Sequence, residues 1–126
     1  YTFILGSTPG PSGWGMATRF GTSGSISETV YALCAKNLSG PTIPTNGFSV
    51  GISSSGASNV SCSGSALRTG GGFSNSDPSG DANNFAYSSA PAKTASMWVV
   101  NMYNRDSTSA HGAVAWAVCD TPNPLY

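Results

Sequence analysis

The sequence predicts an all-β fold, in which a single domain forms an antiparallel sandwich or barrel of about eight or nine short strands. Short segments with alternating apolar and polar residues recur along the chain, as strands with one buried face require. The connectors between them are rich in Gly, Pro, Ser and Asn, which favour turns. No segment has the apolar spacing of an amphipathic helix.

The chain contains an internal partial repeat. Residues 14–35 and 98–120 both begin with Trp and carry an aromatic-Ala-aliphatic-Cys tetrapeptide near the end. Upstream of each Trp, residues 3–9 align with residues 85–91 without a gap. Similarity of this kind indicates repeated structural units. We therefore divide the domain into a half unit, a connector with an extra strand, a full unit and a tail, at residues 1–36, 37–59, 60–120 and 121–126.

In the half unit, the pattern predicts strands on both sides of a proline-containing loop. Residues 1–5 are a short apolar run of strand-forming residues, and residues 6–13 contain two prolines and are expected to form a loop. Residues 14–20 alternate with a period of two, which is typical of a half-buried strand. Residues 29–35 alternate in the same way and predict the next strand.

The connector and the full unit are predicted to continue the all-β pattern. Residues 37–47 contain two prolines and are expected to form a loop, while residues 48–52 alternate as a strand does. Residues 53–59 are small and polar and are expected to be a flexible connector. Further strands are predicted at residues 85–87, 97–103 and 113–119.

Two features of the full unit predict close packing. Three glycines precede Phe73, and such a run beside an aromatic residue indicates a bulge or a close backbone approach. In residues 113–119, Ala and Cys side chains share one face of the expected strand. Val114, Trp116 and Val118 share the opposite face, so we expect a sheet that is packed on both sides.

The chain is poor in charge. Only 8% of its residues are Asp, Glu, Lys or Arg, and the formal net charge is zero. The average for soluble domains is about 25%. This composition excludes the basic surface of a nucleic-acid-binding protein, and no apolar run approaches the ~20 residues of a membrane span. A composition this poor in charge is typical of proteins that work outside the cell or remain assembled.

A resemblance to a known kind of repeat rests on the order of residues in the full unit. That order is Cys62, a Gly-Gly-Gly-Phe run, Ser-Ala-Pro, Trp98, Asn101 and a closing Trp-Ala-Val-Cys. It resembles the two-cysteine, triple-glycine repeats of secreted and surface bacterial proteins, some of them linked to pilus tips or tail-like appendages. The resemblance covers the full unit and, in part, residues 1–35. It implies a β-rich extracellular module that is not an enzyme, with Cys62 paired to Cys119.

The third cysteine, Cys34, closes a unit whose opening half the sequence does not contain. Three states are open to it. It is a free buried thiol, or it is bonded to a neighbouring chain, or it pairs with Cys62 and leaves Cys119 free.

Three aromatic residues are candidates for ligand binding. Trp14, Tyr31 and Tyr103 have the chemistry of a sugar-stacking platform, although core packing is the alternative for each. Asp77, Asp81 and Asn83 surround a glycine and form a weak calcium candidate, against an ordinary β-turn.

No residue is assigned a catalytic role, and no cofactor is expected. The only histidine, His111, follows a Ser-Ala pair and is interpreted as an exposed turn residue in preference to a catalytic base.

The function expected from these observations is that of a non-enzymatic extracellular or cell-surface domain with a structural or adhesive role. It is expected to be a subunit of a pilus-like appendage or filament, associating with itself or with other subunits. The alternative is a monomeric secreted carbohydrate-binding module with a glycan as partner. A small secreted hydrolase is a third reading, without a recognisable nucleophile and base. Neither a nucleic acid nor a membrane span is expected.

Overall fold

The computed structural model describes residues 2–10, 13–20, 27, 40–75 and 83–121. These residues form eight strands and no helix, which confirms the all-β prediction. The strands, in chain order, are β1 (Thr2–Gly10), β2 (Gly13–Phe20), β3 (Thr45–Val50), β4 (Ser55–Ser61), β5 (Leu67–Asn75), β6 (Asn84–Pro91), β7 (Met97–Asn104) and β8 (His111–Asp120).

The strands form two antiparallel sheets that pack face to face. The larger sheet has five strands in the order β2-β1-β5-β8-β3, and the smaller has three in the order β4-β7-β6. Within the described residues neither sheet closes on itself, so the fold is a sandwich and not a barrel. The chain crosses between the sheets at four connections: β3 to β4, β4 to β5, β5 to β6 and β7 to β8.

Two predicted connectors belong largely to strands. The loop predicted for residues 6–13 is wrong, because β1 continues to Gly10 and β2 begins at Gly13. Pro9 is tolerated in β1 because it lies next to the last residue of the strand. The flexible connector predicted for residues 53–59 is also wrong from Ser55 onwards, where β4 pairs with β7. Pairing with a neighbouring strand outweighs the low strand propensity of Ser, Gly and Asn.

The other predicted strands are present with shifted ends. β3 begins at Thr45, inside the predicted loop, because this segment pairs with β8. β6 continues to Pro91, beyond the predicted residues 85–87. The strand predicted at residues 29–35 lies outside the described part of the chain.

The part of the internal repeat that the structure describes forms two matching hairpins. β1 pairs with β2, and β6 pairs with β7, in an equivalent register: Pro9 lies opposite Trp14, and Pro91 lies opposite Trp98. Both registers slip by one residue at an equivalent place, between Ile4 and Gly6 in β1 and between Ala86 and Ser88 in β6. Each hairpin therefore has the same bulge.

The two hairpins also share a side-chain hydrogen bond. The Trp14 indole N–H donates to the Ser7 hydroxyl at 2.8 Å, and the Trp98 indole N–H donates to the Ser89 hydroxyl at 2.9 Å. Equivalent registers, bulges and hydrogen bonds show that the sequence similarity reflects a duplicated structure.

The hydrophobic core lies between the sheets. Along β8, alternate residues from Ala113 to Cys119 are buried against the smaller sheet, and Trp116 on the other face is only 3% exposed. Trp116 is covered by Trp14 of its own sheet, and within the described residues the smaller sheet packs on the opposite face alone, so the prediction of a sheet packed on both sides is not confirmed. The buried core residues are Val50, Val60, Cys62, Phe73, Val100, Met102, Ala113, Ala115, Ala117 and Cys119.

The glycine triplet in β5 lies between two indole rings. The register with β8 slips between Arg68 and Gly70, which confirms the predicted bulge. A Cβ atom added to Gly71 would overlap the ring of Trp98, which comes from the smaller sheet. A Cβ atom added to Gly72 would overlap both the ring of Trp116 and the backbone carbonyl oxygen of Ser7. The two rings pack on opposite faces of one strand, because successive residues of a strand face opposite ways.

A disulfide joins the two sheets. Cys62, directly after β4, is bonded to Cys119 in β8, and their Cα atoms are 5.5 Å apart. This is the pairing that the resemblance implied, and it excludes a Cys34–Cys62 bond in the same molecule. Cys34 itself lies outside the described residues.

Replacing Gly72 with Ala is expected to lower the free energy of unfolding by about 1–3 kcal/mol, because the new methyl group overlaps Trp116 and the Ser7 carbonyl. Gly47→Ala in β3 is the matched control. Nothing lies within 4 Å of a Cβ atom at Gly47, so its effect should stay within about 0.5 kcal/mol. Urea unfolding of both variants measures the difference, and equal losses would contradict the packing described.

Removing the disulfide with Cys62→Ala and Cys119→Ala together is expected to destabilise the protein by about 4 kcal/mol, since the bond closes a loop of 57 residues. Denaturant unfolding with and without reductant measures the loss. Reductant should shift the midpoint of the wild type and leave that of the double variant unchanged. A wild-type midpoint that is insensitive to reductant would argue against the bond.

Candidate functional site

The outward-facing side of the three-stranded sheet is the candidate site, and we call it the outer face. Along β7, Val100 and Met102 are fully buried, so their neighbours in the strand point away from the core. The registers with β4 and β6 then define the rest of the surface. The outer face consists of Ser55, Ala57, Asn59 and Ser61 in β4, Phe85, Ser88 and Ala90 in β6, and Met97, Val99, Asn101 and Tyr103 in β7.

An aromatic pair lies at one end of the outer face. Tyr103 is opposite Phe85 in β6 and opposite Ser55 in β4. The ring centroids of Tyr103 and Phe85 are 6.1 Å apart, and the ring planes are inclined by 56°. Both residues are half-buried, so the pair offers an apolar surface that solvent reaches.

The middle of the outer face combines amide and aliphatic side chains. Asn101 lies between Ala57 and Ser88, and Val99 lies between Asn59 and Ala90. None of the residues of the outer face carries a charge. Such a surface can pack against another uncharged surface, or it can bind a ligand through ring stacking and amide hydrogen bonds, without the large cost of desolvating an ion.

The predicted sugar-stacking residues are not brought together where the structure describes them. Tyr103 is on the outer face, but Trp14 lies in β2 of the other sheet. The ring centroid of Trp14 is 5.2 Å from that of Trp116, and Trp14 is half-buried there. Tyr31 lies outside the described residues. Trp14 and Tyr103 lie on different sheets, so the prediction that they form a single platform is wrong.

The weak calcium candidate falls mainly outside the described residues. Asp77 and Asp81 are not among them, while Asn83 is exposed just before β6. The carbonyl oxygen of Asn83 accepts a hydrogen bond from the Arg105 amide at 2.6 Å. Within the described part of the chain, no group of three or more His, Cys, Asp or Glu residues is placed to hold a metal ion.

His111 is not an exposed turn residue, and that interpretation is wrong. It is the first residue of β8 and only 8% exposed. Its Nε2 atom lies 3.0 Å from the carboxylate of Asp106, on the loop between β7 and β8. The other carboxylate oxygen accepts hydrogen bonds from the backbone and hydroxyl of Thr108 and from the Ser109 amide. Asp106 therefore holds this loop closed.

A buried asparagine anchors the same loop. Asn104 is fully buried, and its side-chain amide donates to the carbonyl oxygens of Val50, Gly51 and Ser109. Its side-chain oxygen accepts the Asp106 amide at 2.8 Å. The hydrogen bonds from the Thr108 hydroxyl, the His111 ring and the Thr108 amide hold the pKa of Asp106 well below its usual range. These bonds explain Asp106 and His111 as structural residues.

Sequence reasoning missed the outer face and the Asp106–His111 pair. The sequence contains a signal for the outer face. In the strand predicted at residues 97–103, Met97, Val99 and Tyr103 occupy every second position or a multiple of it, so they share one face of the strand. The pair had only a weak signal, an aspartate and a histidine five residues apart at the two ends of a turn.

Comparison of the chain with protein-family models, with curated proteins and with solved structures finds no match. In the described part of the structure, no helix has the length and apolar character needed to cross a membrane.

Replacing Asp106 with Asn is expected to destabilise the protein at neutral pH and to have less effect in acid. The folded state holds the Asp106 pKa below its unfolded value, so the carboxylate stabilises the fold above about pH 4 and loses that effect as the pH falls further. Urea unfolding from pH 7 to pH 2.5 measures the gap between wild type and variant. Ser107→Ala, at an exposed position in the same loop, is the control. A gap that widens in acid would contradict the assignment.

Proposed function

We propose that this protein is a non-enzymatic structural or adhesive domain, and that it acts as a subunit of an extracellular appendage or filament. The observation that carries the proposal is the uncharged, partly apolar outer face of the three-stranded sheet. Side chains on the solvent face of an antiparallel sheet are ordinarily polar. Alongside its Ser and Asn residues this face carries the half-buried Met97, Val99 and Tyr103, and a partner that covers it would account for these apolar side chains.

The positions of the charged residues support the same proposal. Among the residues whose side chains are described, Arg68 and Asp120 lie at strand ends, and Lys93, Arg105 and Asp106 lie in connectors. The two ends of the sandwich are therefore charged, while the outer face is free to meet an uncharged partner. Contact between such faces buries apolar area, which stabilises the complex by about 25 cal/mol per Å². No charged side chain is buried without a partner in such a contact.

The disulfide supports an extracellular location. Bonds between cysteines persist in oxidising compartments and are rare in the cytosol. A bond that joins the two sheets also suits a protein that carries load or resists unfolding outside the cell, because it limits the freedom of the unfolded chain.

A carbohydrate-binding function is the second candidate, and the pair of Tyr103 and Phe85 favours it. Two neighbouring rings beside the Asn101 amide provide both a stacking surface and hydrogen-bonding groups for a sugar. A glycan array that shows binding by the wild type, and loss of that binding with Tyr103→Ala, would place this function ahead of the first.

Introducing a charge into the outer face is expected to disrupt self-association. Asn59→Lys adds a cation at an exposed position of the outer face, so the assemblies formed by the wild type should shift towards the 12.7 kDa monomer. Light scattering under non-reducing conditions, with negative-stain images, measures the change.

The control for this experiment is Ser49→Lys. Ser49 is exposed on edge strand β3 of the other sheet, so the variant adds the same charge away from the outer face. Its assemblies should match those of the wild type. A wild type that stays monomeric at high concentration, or equal dissociation of both variants, would overturn the proposal.

A further inference from the structure

The duplicated hairpins differ in what lies beside them, and this difference points to a binding site. Each hairpin has two outer edges, one along its first strand and one along its second. In the first hairpin, the edge of β1 pairs with β5. In the second hairpin, the edge of β7 pairs with β4. Because the hairpins match in register, bulge and hydrogen bond, an edge that is occupied in one shows what the same edge can accept in the other.

The edge of β1 is occupied at two positions, where Gly6 lies opposite Ser74 and Ser7 lies opposite Phe73. The alignment of the hairpins places Ser88 and Ser89 of β6 at these positions. Along its outer side, β6 has no strand partner within the described residues, where it pairs with β7 alone. This edge of β6, which no described strand covers, is thus the counterpart of the edge that β5 covers in the first hairpin.

A groove lies beside this edge. It has a volume of about 200 Å³ and is lined by Phe73, Ala86, Tyr87, Ser88 and Ser89. Tyr87 is 59% exposed and occupies the extra position of the bulge, between the paired residues Ala86 and Ser88. The groove is independent of the strand pairing, and its volume leaves room for a side chain beside the edge.

We infer that the edge of β6 at Ser88 and Ser89 is a docking site for an extended strand of the β5 type, supplied by another repeat unit. The incoming strand would run antiparallel to β6, as β5 runs to β1. Its chemistry is that of Gly71 to Ser74: two glycines, which let backbones approach closely, then Phe and Ser, without charge. The Phe lies opposite Ser89 and its ring enters the groove.

This site is the backbone edge of β6, which borders the outer face at Ser88, and it does not rest on the proposed function. Backbone hydrogen bonds at a strand edge provide affinity, and the groove provides selectivity for an aromatic residue. One unit joins the next through this strand edge, whereas the assembly in the proposed function involves a face of the sheet.

The test uses the whole protein, labelled with ¹⁵N, and a synthetic peptide with the sequence of β5, Leu67–Asn75. Saturable shifts of the amide resonances of residues 86–90 are expected, together with at least a threefold slowing of hydrogen exchange at the edge of β6. A peptide with Lys in place of Phe should cause neither effect, because the ammonium group cannot enter an apolar groove without losing its hydration.

Two variants make the test specific. Tyr87→Asp places a charge at the mouth of the groove and should raise the peptide dissociation constant at least fivefold. Ile52→Asp changes an exposed apolar residue at the β3–β4 turn and should leave it unchanged. Resonance spectra of both variants show whether each is folded. No shifts at millimolar peptide, shifts confined to other strands, or equal effects of the two variants would overturn the inference. Peptide binding by a protein that remains monomeric would support it while contradicting the proposed function.

Discussion

The packing of two indole rings against Gly71 and Gly72 is the constraint on which the rest of the structure depends. Trp98 comes from the smaller sheet and Trp116 from the larger, and a methyl group at either glycine would overlap a ring. The contact of Trp98 with Gly71 joins the two sheets. Because Gly72 has no side chain, the Ser7 backbone can lie close to it, and Trp14 of the same hairpin packs against Trp116. The Trp116 indole N–H is buried without a hydrogen-bond partner among the described residues, a cost that the close packing must offset.

The same packing connects the half unit with the full unit. β1 pairs with β5 at two positions, opposite Phe73 and Ser74 at the end of the glycine run. A bulkier β5 would prevent this approach, and the first hairpin would lose its place in the sheet. The contact between the units, the disulfide and the core therefore all converge on β5 and β8. The outer face belongs to the other sheet and points away from this region.

Much of the fold could be predicted from the sequence, because alternation and turn residues are local signals. β7 and β8 are long and strongly alternating, and both lie where expected. β4 was missed because its Ser, Gly and Asn residues have no strand preference, and only its pairing with β7 makes it a strand. The continuation of β1 through Pro9 was missed for a related reason, since a proline signals a loop unless its partner strand is known.

The candidate site was predicted less well, because a site depends on which strands become neighbours. Tyr103 could be selected as an aromatic residue, but Phe85 becomes its partner only through the register of β6 with β7. Asp106 and His111 illustrate the same limit, since the loop between two strands determines their distance. Pairing between strands is non-local, and a single sequence without homologous sequences carries little information about it.

The most direct test of the account is the oxidation of methionines by dilute peroxide at increasing protein concentration. Met97 lies on the outer face, Met16 is half-buried on the other sheet, and Met102 is fully buried. If the outer face mediates assembly, the oxidation rate of Met97 relative to Met16 falls as assemblies form, while Met102 stays unmodified throughout. A constant ratio of Met97 to Met16 over a concentration range in which the protein assembles would contradict the central claim.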